Sequence, residues 1–278
     1  MNKIIFLDVD GTLINYEAKC PESAKLAINK ASKKGHKIYV CTGCSKAEIT
    51  QRDLPYGILG MIGANGGYVE SEGKAIMHKC FSNTQIKEIV DWCNNGQLGF
   101  YLEANSGMYI NDYFYDQSFK AYQAYSKNKQ KEFTEERHQE ILKKFTLKNG
   151  NDLYRDDVNK ISFILSSYQD HLDSKKQFPE LVANTWGGKG HQAIFGDLSP
   201  SGISKKEAIK VLLNYLNANK EDTISFGDAD IDLSMFEVCN YNVAMGNASK
   251  RLKEKADYIT SDVDDNGLYK AFEYLDLF

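Results

Sequence analysis

Two aspartates, Asp8 and Asp10, follow the apolar run Ile4-Ile5-Phe6-Leu7. Such a run suits a strand buried on both faces of a parallel sheet. Side chains at i and i+2 of an extended segment point the same way, so both carboxylates are expected to reach one reaction centre. Gly11 then permits a sharp exit. Open parallel sheets bind ligands beyond the carboxyl ends of their strands, which is where this pair falls. Other polar groups stand at comparable places: Thr42 after Lys37–Cys41, Lys205 at a helix start, and Asp228 and Asp232 after Thr223–Phe226. Crowded carboxylates need a cation, and oxygen ligands suit Mg²⁺. Lys205 and Thr42 suit phosphate oxygens. An aspartate attacking phosphorus would give an aspartyl-phosphate. A second aspartate two residues on could protonate the leaving oxygen and later activate water. The metal and Lys205 would offset charge on the transferring group.

The elements that must position these groups can be read from hydrophobic spacing. Pro21 to Lys34 has helical periodicity, Lys37 to Cys41 reads as a strand, Ser45 to Arg52 as a short helix capped by Ser45, and Ile58 to Ile62 as a third strand. Tyr68 to Lys79 reads as a hairpin turning at Glu72-Gly73. This β-α-β-α-β order predicts a doubly wound α/β fold with a parallel sheet. From about Asn83 the character changes. Thr84 to Asn94 is helical, Gly99 to Tyr113 alternates as two short strands, and Ser118 to Phe145 is polar and helical. Strands at 159–166 and 181–186 flank a helix at 168–177. Strands and helices without strict alternation suggest an α+β insertion. It is placed at 82–191, between core segments 1–81 and 192–278. Alternation then resumes with a helix over Ser204–Ala218, a strand over Thr223–Phe226, and two further strand–helix pairs.

Composition narrows the function classes. A chain of 278 residues can bury a large core and hold two domains, and 42% hydrophobic with 26% charged residues describes a soluble globular protein. A net charge of -4 gives no global basic footprint for nucleic acid. No apolar run approaches the roughly 18 residues of a membrane span, so no membrane partner is expected. The start lacks the cleavage site of a signal peptide, from which a cytoplasmic protein is expected; separately, a monomer or homodimer is expected. The cysteines at 20, 41, 44, 80, 93 and 239 make a poor disulfide framework. Cys41-Thr42-Gly43-Cys44 lacks a second pair of ligands for zinc, so neither a zinc site nor an obligatory redox pair is expected there.

Taken together, the motifs Asp8-Val9-Asp10-Gly11-Thr12-Leu13, Thr42-Gly43, Gly202-Ile203-Ser204-Lys205 and Gly227-Asp228 through Asp232-Leu233-Ser234-Met235 resemble the haloacid dehalogenase superfamily. The resemblance is to its Cof-type hydrolases of subclass IIB, sugar-phosphatase-like proteins with a C2-type α+β cap. Val243 to Ala248, Asp265-Asn266-Gly267 and Asn65-Gly66-Gly67 extend the likeness. The resemblance implies a Mg²⁺-dependent phosphatase acting on small phosphorylated metabolites. It implies Asp8 as nucleophile and metal ligand, and Asp10 as acid/base that ligates metal through its carbonyl. Asp228 becomes a metal ligand and Asp232 a supporting carboxylate. Thr42, Gly43, Asn65, Gly66 and Lys205 would hold phosphate or substrate. A phosphotransferase or phosphomutase, and a weakened metabolite-binding regulator, are the alternatives. The chain departs from the family pattern at two places: Cys44 stands where Arg commonly follows Thr-Gly, and Ile231 where Asn is usual. The inserted domain is expected to select the substrate. Trp186, with the flexible, cationic stretch Gly187 to His191, is its best candidate contact.

Overall fold

The computed structural model describes residues 2–128, 131–188 and 190–278. Along the chain run β1 (Ile4–Leu7), α1 (Glu22–Lys33), β2 (Lys37–Cys41), α2 (Lys46–Ile49), β3 (Ile58–Gly63), β4 (Tyr68–Ser71) and β5 (Lys74–His78). Next come α3 (Asn83–Asn95), β6 (Phe100–Ala104), β7 (Met108–Ile110), α4 (Asp112–Asn128), α5 (Glu135–Leu142) and β8 (Thr146–Leu147). They are followed by β9 (Val158–Ile164), α6 (Tyr168–Gln177), β10 (Val182–Trp186) and β11 (Phe195–Ser199). The chain closes with α7 (Lys205–Leu216), β12 (Thr223–Gly227), α8 (Leu233–Phe236), β13 (Tyr241–Ala244), α9 (Lys250–Lys253), β14 (Tyr258–Ile259) and α10 (Gly267–Tyr274).

Two compact units result. The first comprises the residues up to Cys44, Arg52–His78 and Ile203–Phe278. Its sheet has the order β14-β13-β12-β1-β2-β3-β4-β5, parallel from β14 to β3 and antiparallel beyond. The apolar run Ile4–Leu7 is wholly buried, as a central parallel strand requires. Register then does the positioning. Leu7 is level with Val40 on one side and Phe226 on the other, so β1, β2 and β12 end side by side. On one face Phe6, Tyr39 and Ile62 pack with Ala208, Ile209 and Leu212 of α7. On the other, Phe226 meets Phe272 of α10 with ring centroids 5.3 Å apart. The expected hairpin is β4–β5, and its turn residues Glu72 and Gly73 both have positive φ.

The second unit comprises Ser45–Gln51 and Lys79–Gly202. Its sheet has the order β10-β11-β9-β6-β7-β8, with only β7–β8 parallel among these pairs. Phe100, Leu102, Ile161 and Phe163 point to one face, where Ile86, Ile89, Val90 and Cys93 of α3 cover them. The opposite face carries Tyr101, Glu103 and Ser162. Glu103 is fully buried, pairs with Lys160 at 3.0 Å and accepts the Ser162 hydroxyl at 3.0 Å. Its other oxygen has no partner among the described residues.

The unit boundaries differ from the sequence expectation, and the second unit begins at Lys79 rather than at 82. The core was expected to resume at 192, but β11 at Phe195–Ser199 pairs with β9 and β10, so the second unit runs on to Gly202. The local pattern does not show this, and only the pairing reveals the assignment. The short segment Ser45–Gln51 also belongs to the second unit. The polar helical stretch at 118–145 divides into α4 and α5, with residues 129 and 130 outside the described set.

Candidate active site

The level ends of β1, β2 and β12 bring Asp8, Thr42 and Asp228 to one edge of the first sheet. The fourth contributor arrives on a helix. Ser204 caps α7 by accepting the Glu207 N–H, which makes Lys205 the first helical residue and turns its side chain into the core. Lys205 is 2% exposed, and its Nζ donates to Asp8 Oδ1 and Asp232 Oδ1, both at 2.7 Å. Burial pulls the ammonium's pKa down, but Asp232 and Asp8 outweigh it, so the group stays charged.

Three carboxylates face this single lysine. Asp8, Asp228 and Asp232 are all buried, with oxygens within 4.8 Å of one another. Burial first, and Asp232 next, push the Asp8 carboxyl well above its usual range, against the pull of Lys205. Burial raises Asp228 to about 6, aided by Asp232 and opposed by hydrogen bonds from Tyr16 and Thr12. The cluster is short of positive charge.

The three carboxylates are not equivalent. Asp232 spends one oxygen on Lys205 and the other on the N–H groups of Asp228 and Ala229, both at 3.1 Å. Both of its oxygens are thus engaged within the protein, one of them holding the loop. Asp228 accepts Thr12 Oγ1 at 3.3 Å and the Tyr16 hydroxyl at 2.8 Å. Gly11, at φ +94°, is what lets Asp228 and Tyr16 come so near. A Cβ there would run into the Asp228 carboxylate and stand 2.7 Å from Tyr16 Oη. Asn247 reaches back from the loop after β13 to the Gly11 carbonyl at 2.8 Å and to Tyr16 at 3.4 Å.

A hard divalent cation fits this donor set. Asp8 and Asp228 supply carboxylate oxygens, both carboxyls are pushed upward, and one lysine does not balance three acids.

On the adjacent strand end, Thr42 is 2% exposed and its hydroxyl oxygen accepts the Cys44 N–H at 3.1 Å. The Thr42 carbonyl accepts the Asn65 N–H at 3.1 Å, and Gly43 lies against the Asn65 side chain. Gly66, at φ +105°, brings this loop against the Ser204 carbonyl, where a Cβ would collide. Thr42, Gly43, Asn65, Gly66 and Lys205 thus form one continuous lining.

Asp10 behaves differently from the i, i+2 expectation. β1 stops at Leu7, so strand alternation does not extend to Asp10, which lies at an exposed position. Its carboxylate accepts Arg52 Nη1 at 2.5 Å on Oδ1 and the Cys44 thiol at 3.8 Å on Oδ2. Arg52 Nη2 also meets Cys44 Sγ at 3.4 Å. Sequence reading missed Arg52 because it closes a segment that reads as an ordinary short helix. It missed Tyr16 because a tyrosine in a polar loop carries no signal of its own. Cys41 is buried in the core beneath, where burial raises its thiol pKa. Ile231 is 52% exposed, and neighbouring Asp230 accepts the Ser249 hydroxyl at 2.5 Å. Trp186 lies in the second unit, stacked on Phe195 with centroids 3.9 Å apart and edge-on to Tyr125. Of the stretch that follows it, Lys189 is outside the described residues.

A family model described as haloacid dehalogenase-like hydrolase matches residues 5–272, so the chain belongs to that family and is a hydrolase. YkrA of Bacillus subtilis (strain 168) is 27% identical over 281 aligned residues, covering 99% of this chain and 98% of that protein. The 5-amino-6-(5-phospho-D-ribitylamino)uracil phosphatase YwtE of the same strain is 26% identical, covering 96% of this chain and 95% of the relative. Among solved structures, a HAD subclass IIB sugar phosphatase superposes with a TM-score of 0.74 at 21% identity, covering 100% of both chains. That likeness shows the fold.

Proposed function

We propose that this hydrolase is a Mg²⁺-dependent phosphatase of small phosphorylated metabolites, sugar phosphates or similar esters, working through an aspartyl-phosphate on Asp8. The observation that carries the reading is Lys205, buried between Asp8 and Asp232 beside Asp228. Asp8, Asp228 and the Asp10 carbonyl would hold the ion, which supplies Lewis-acid charge stabilisation on the phosphoryl oxygens when bound.

The chain's own groups account for the rest. Lys205, the Thr42 hydroxyl and the Gly43 and Asn65-Gly66 loops bind the phosphoryl oxygens. An Asp8 oxygen attacks phosphorus, the bond from phosphorus to the ester oxygen breaks, and Asp10 gives its proton to that oxygen. Water then attacks phosphorus and passes a proton to Asp10. The Asp8–phosphorus bond breaks and inorganic phosphate leaves. Asp232 keeps Lys205 and the Asp228 loop in place. The core groups recognise only the phosphate that all such esters share, so selectivity for the remainder is assigned to the second unit. The resemblance to subclass IIB proteins and the phosphatase names of relatives support this reading.

The test is phosphate release with Mg²⁺ across a panel of phosphorylated metabolites. Wild-type protein is expected to turn over one or more members, and Asp8→Asn none. Phosphate release retained in pure Asp8→Asn protein would overturn the assignment.

A further inference from the structure

The exposed carboxylate of Asp10 is held at both oxygens, by Arg52 on one and by Cys44 on the other, with Arg52 also touching Cys44. We infer that Arg52 is a positioning residue for Asp10, and that it sets the efficiency of leaving-group protonation. The inference rests on the acid/base reading of Asp10 given above.

An aspartate beyond the end of its strand, with a side chain 53% exposed, has several rotamers open to it. Proton transfer to a leaving oxygen needs one of them, since a misplacement of about 1 Å costs on the order of 10²-fold. Arg52 supplies the constraint. Its side chain is 19% exposed, much less than its partner's, so it is the anchored member of the pair. Cys44 is fixed in turn: its N–H is bonded to Thr42 Oγ1 at 3.1 Å and its carbonyl to the Ala64 N–H at 2.8 Å. The guanidinium fork thus spans the exposed carboxylate and a hydrogen-bonded point of the Thr42–Cys44 loop. A part-exposed ion pair of this kind contributes little to stability, about 0–1 kcal/mol. Its value is geometric.

Position and mere folding are separated by the leaving group. p-Nitrophenolate departs without a proton, whereas an alkoxide needs one. The kcat/KM for each ester reports steps up to the first irreversible one, here transfer to Asp8. In Arg52→Ala, kcat/KM for an alkyl phosphate is expected to fall about 10- to 100-fold, and that for p-nitrophenyl phosphate to stay within about 3-fold. Arg52→Lys, which keeps the charge without the fork, should fall between Arg52→Ala and wild type. Added guanidinium ion should restore the alkyl ester selectively in Arg52→Ala. Asp10→Asn is the control and should show the same leaving-group dependence, more strongly. Equal losses on both esters in Arg52→Ala and Arg52→Lys, or no loss in either, with Asp10→Asn still leaving-group dependent, would overturn the role of Arg52. If Asp10→Asn lacks that dependence, the acid/base reading itself fails, and the inference with it.

Discussion

Lys205 in the first unit and Lys160 in the second each enter a buried carboxylate cluster, and the two clusters balance differently. Lys205 is shared between Asp8 and Asp232 at 2.7 Å each, and Asp228 adds a third acid. Lys160 meets the fully buried Glu103 at 3.0 Å and keeps a side chain 12% exposed. Burial raises the Glu103 carboxyl to about 7, with Lys160 pulling down and Glu48 pushing up. Glu103 can therefore relieve its cluster by taking a proton. Asp8 and Asp228 in the first cluster are raised as well, and its three clustered carboxylates also fit a cation. The same residue types recur in both places, and what separates them is placement: Asp8, Asp228 and Asp232 bring oxygens within 4.8 Å of one another at neighbouring strand ends.

Removing each lysine is the strongest way to break the comparison. In chelator-treated protein, Lys205→Met leaves Asp8 and Asp232 buried without their counter-charge. A loss of about 3–5 kcal/mol in unfolding free energy is expected there, and a separate assay with Mg²⁺ restored should show loss of phosphate release. Lys160→Met should cost less, because Glu103 can be neutral at mildly acidic pH, whereas Lys205→Met strips two buried acids, Asp8 and Asp232, of their shared partner. Equal losses by denaturant unfolding would show that the clusters are of one kind.

The second prediction turns on pH. A carboxyl whose pKa is raised on folding binds its proton more tightly in the native state. That contribution is fully present below the unfolded value near 4.5 and is lost as pH rises through about 7. Wild-type protein should therefore lose a few kcal/mol between about pH 5 and about pH 8 that Glu103→Gln does not lose. Identical pH dependence in the two proteins would place the titration elsewhere.

The contrast also explains what could be read from sequence. β1, β2 and β12 are buried parallel strands, so each appears as a largely apolar run followed by its candidate residue: Asp8, Thr42 and Asp228. Lys205 follows a helix-capping serine. Local pattern and tertiary position agree at all four. Agreement ends where position depends on contacts that the local pattern does not show. The sequence Phe195-Gly196-Asp197-Leu198-Ser199 mixes apolar and polar residues, and only pairing with β9 and β10 assigns it to the second unit. Asp10 lies exposed beyond the end of β1 at Leu7, and Arg52 comes to it from a different segment altogether. Tyr16 reaches Asp228 only because Gly11 lacks a Cβ.

The smallest expected effect concerns Ile231, exposed beside the metal-fitting acids, with Asp230 engaged by Ser249. If an amide there met a polar substrate group, one hydrogen bond of about 0.5–1.5 kcal/mol would be gained. Ile231→Asn is expected to raise kcat/KM toward small phosphate esters several-fold. A decrease would mean that Ile231 packs against an apolar group of the substrate.

The central claim is that Asp8, lying in the acid-rich cluster, carries the phosphoryl group during turnover. Rapid acid quench of protein mixed with a substrate phosphate ester, followed by borohydride reduction, converts an aspartyl-phosphate to homoserine at that position. Peptide mapping is predicted to find homoserine at position 8, dependent on substrate and absent in Asp8→Asn. Steady phosphate release with Asp8 unmodified, or the modification at another aspartate, would contradict the account.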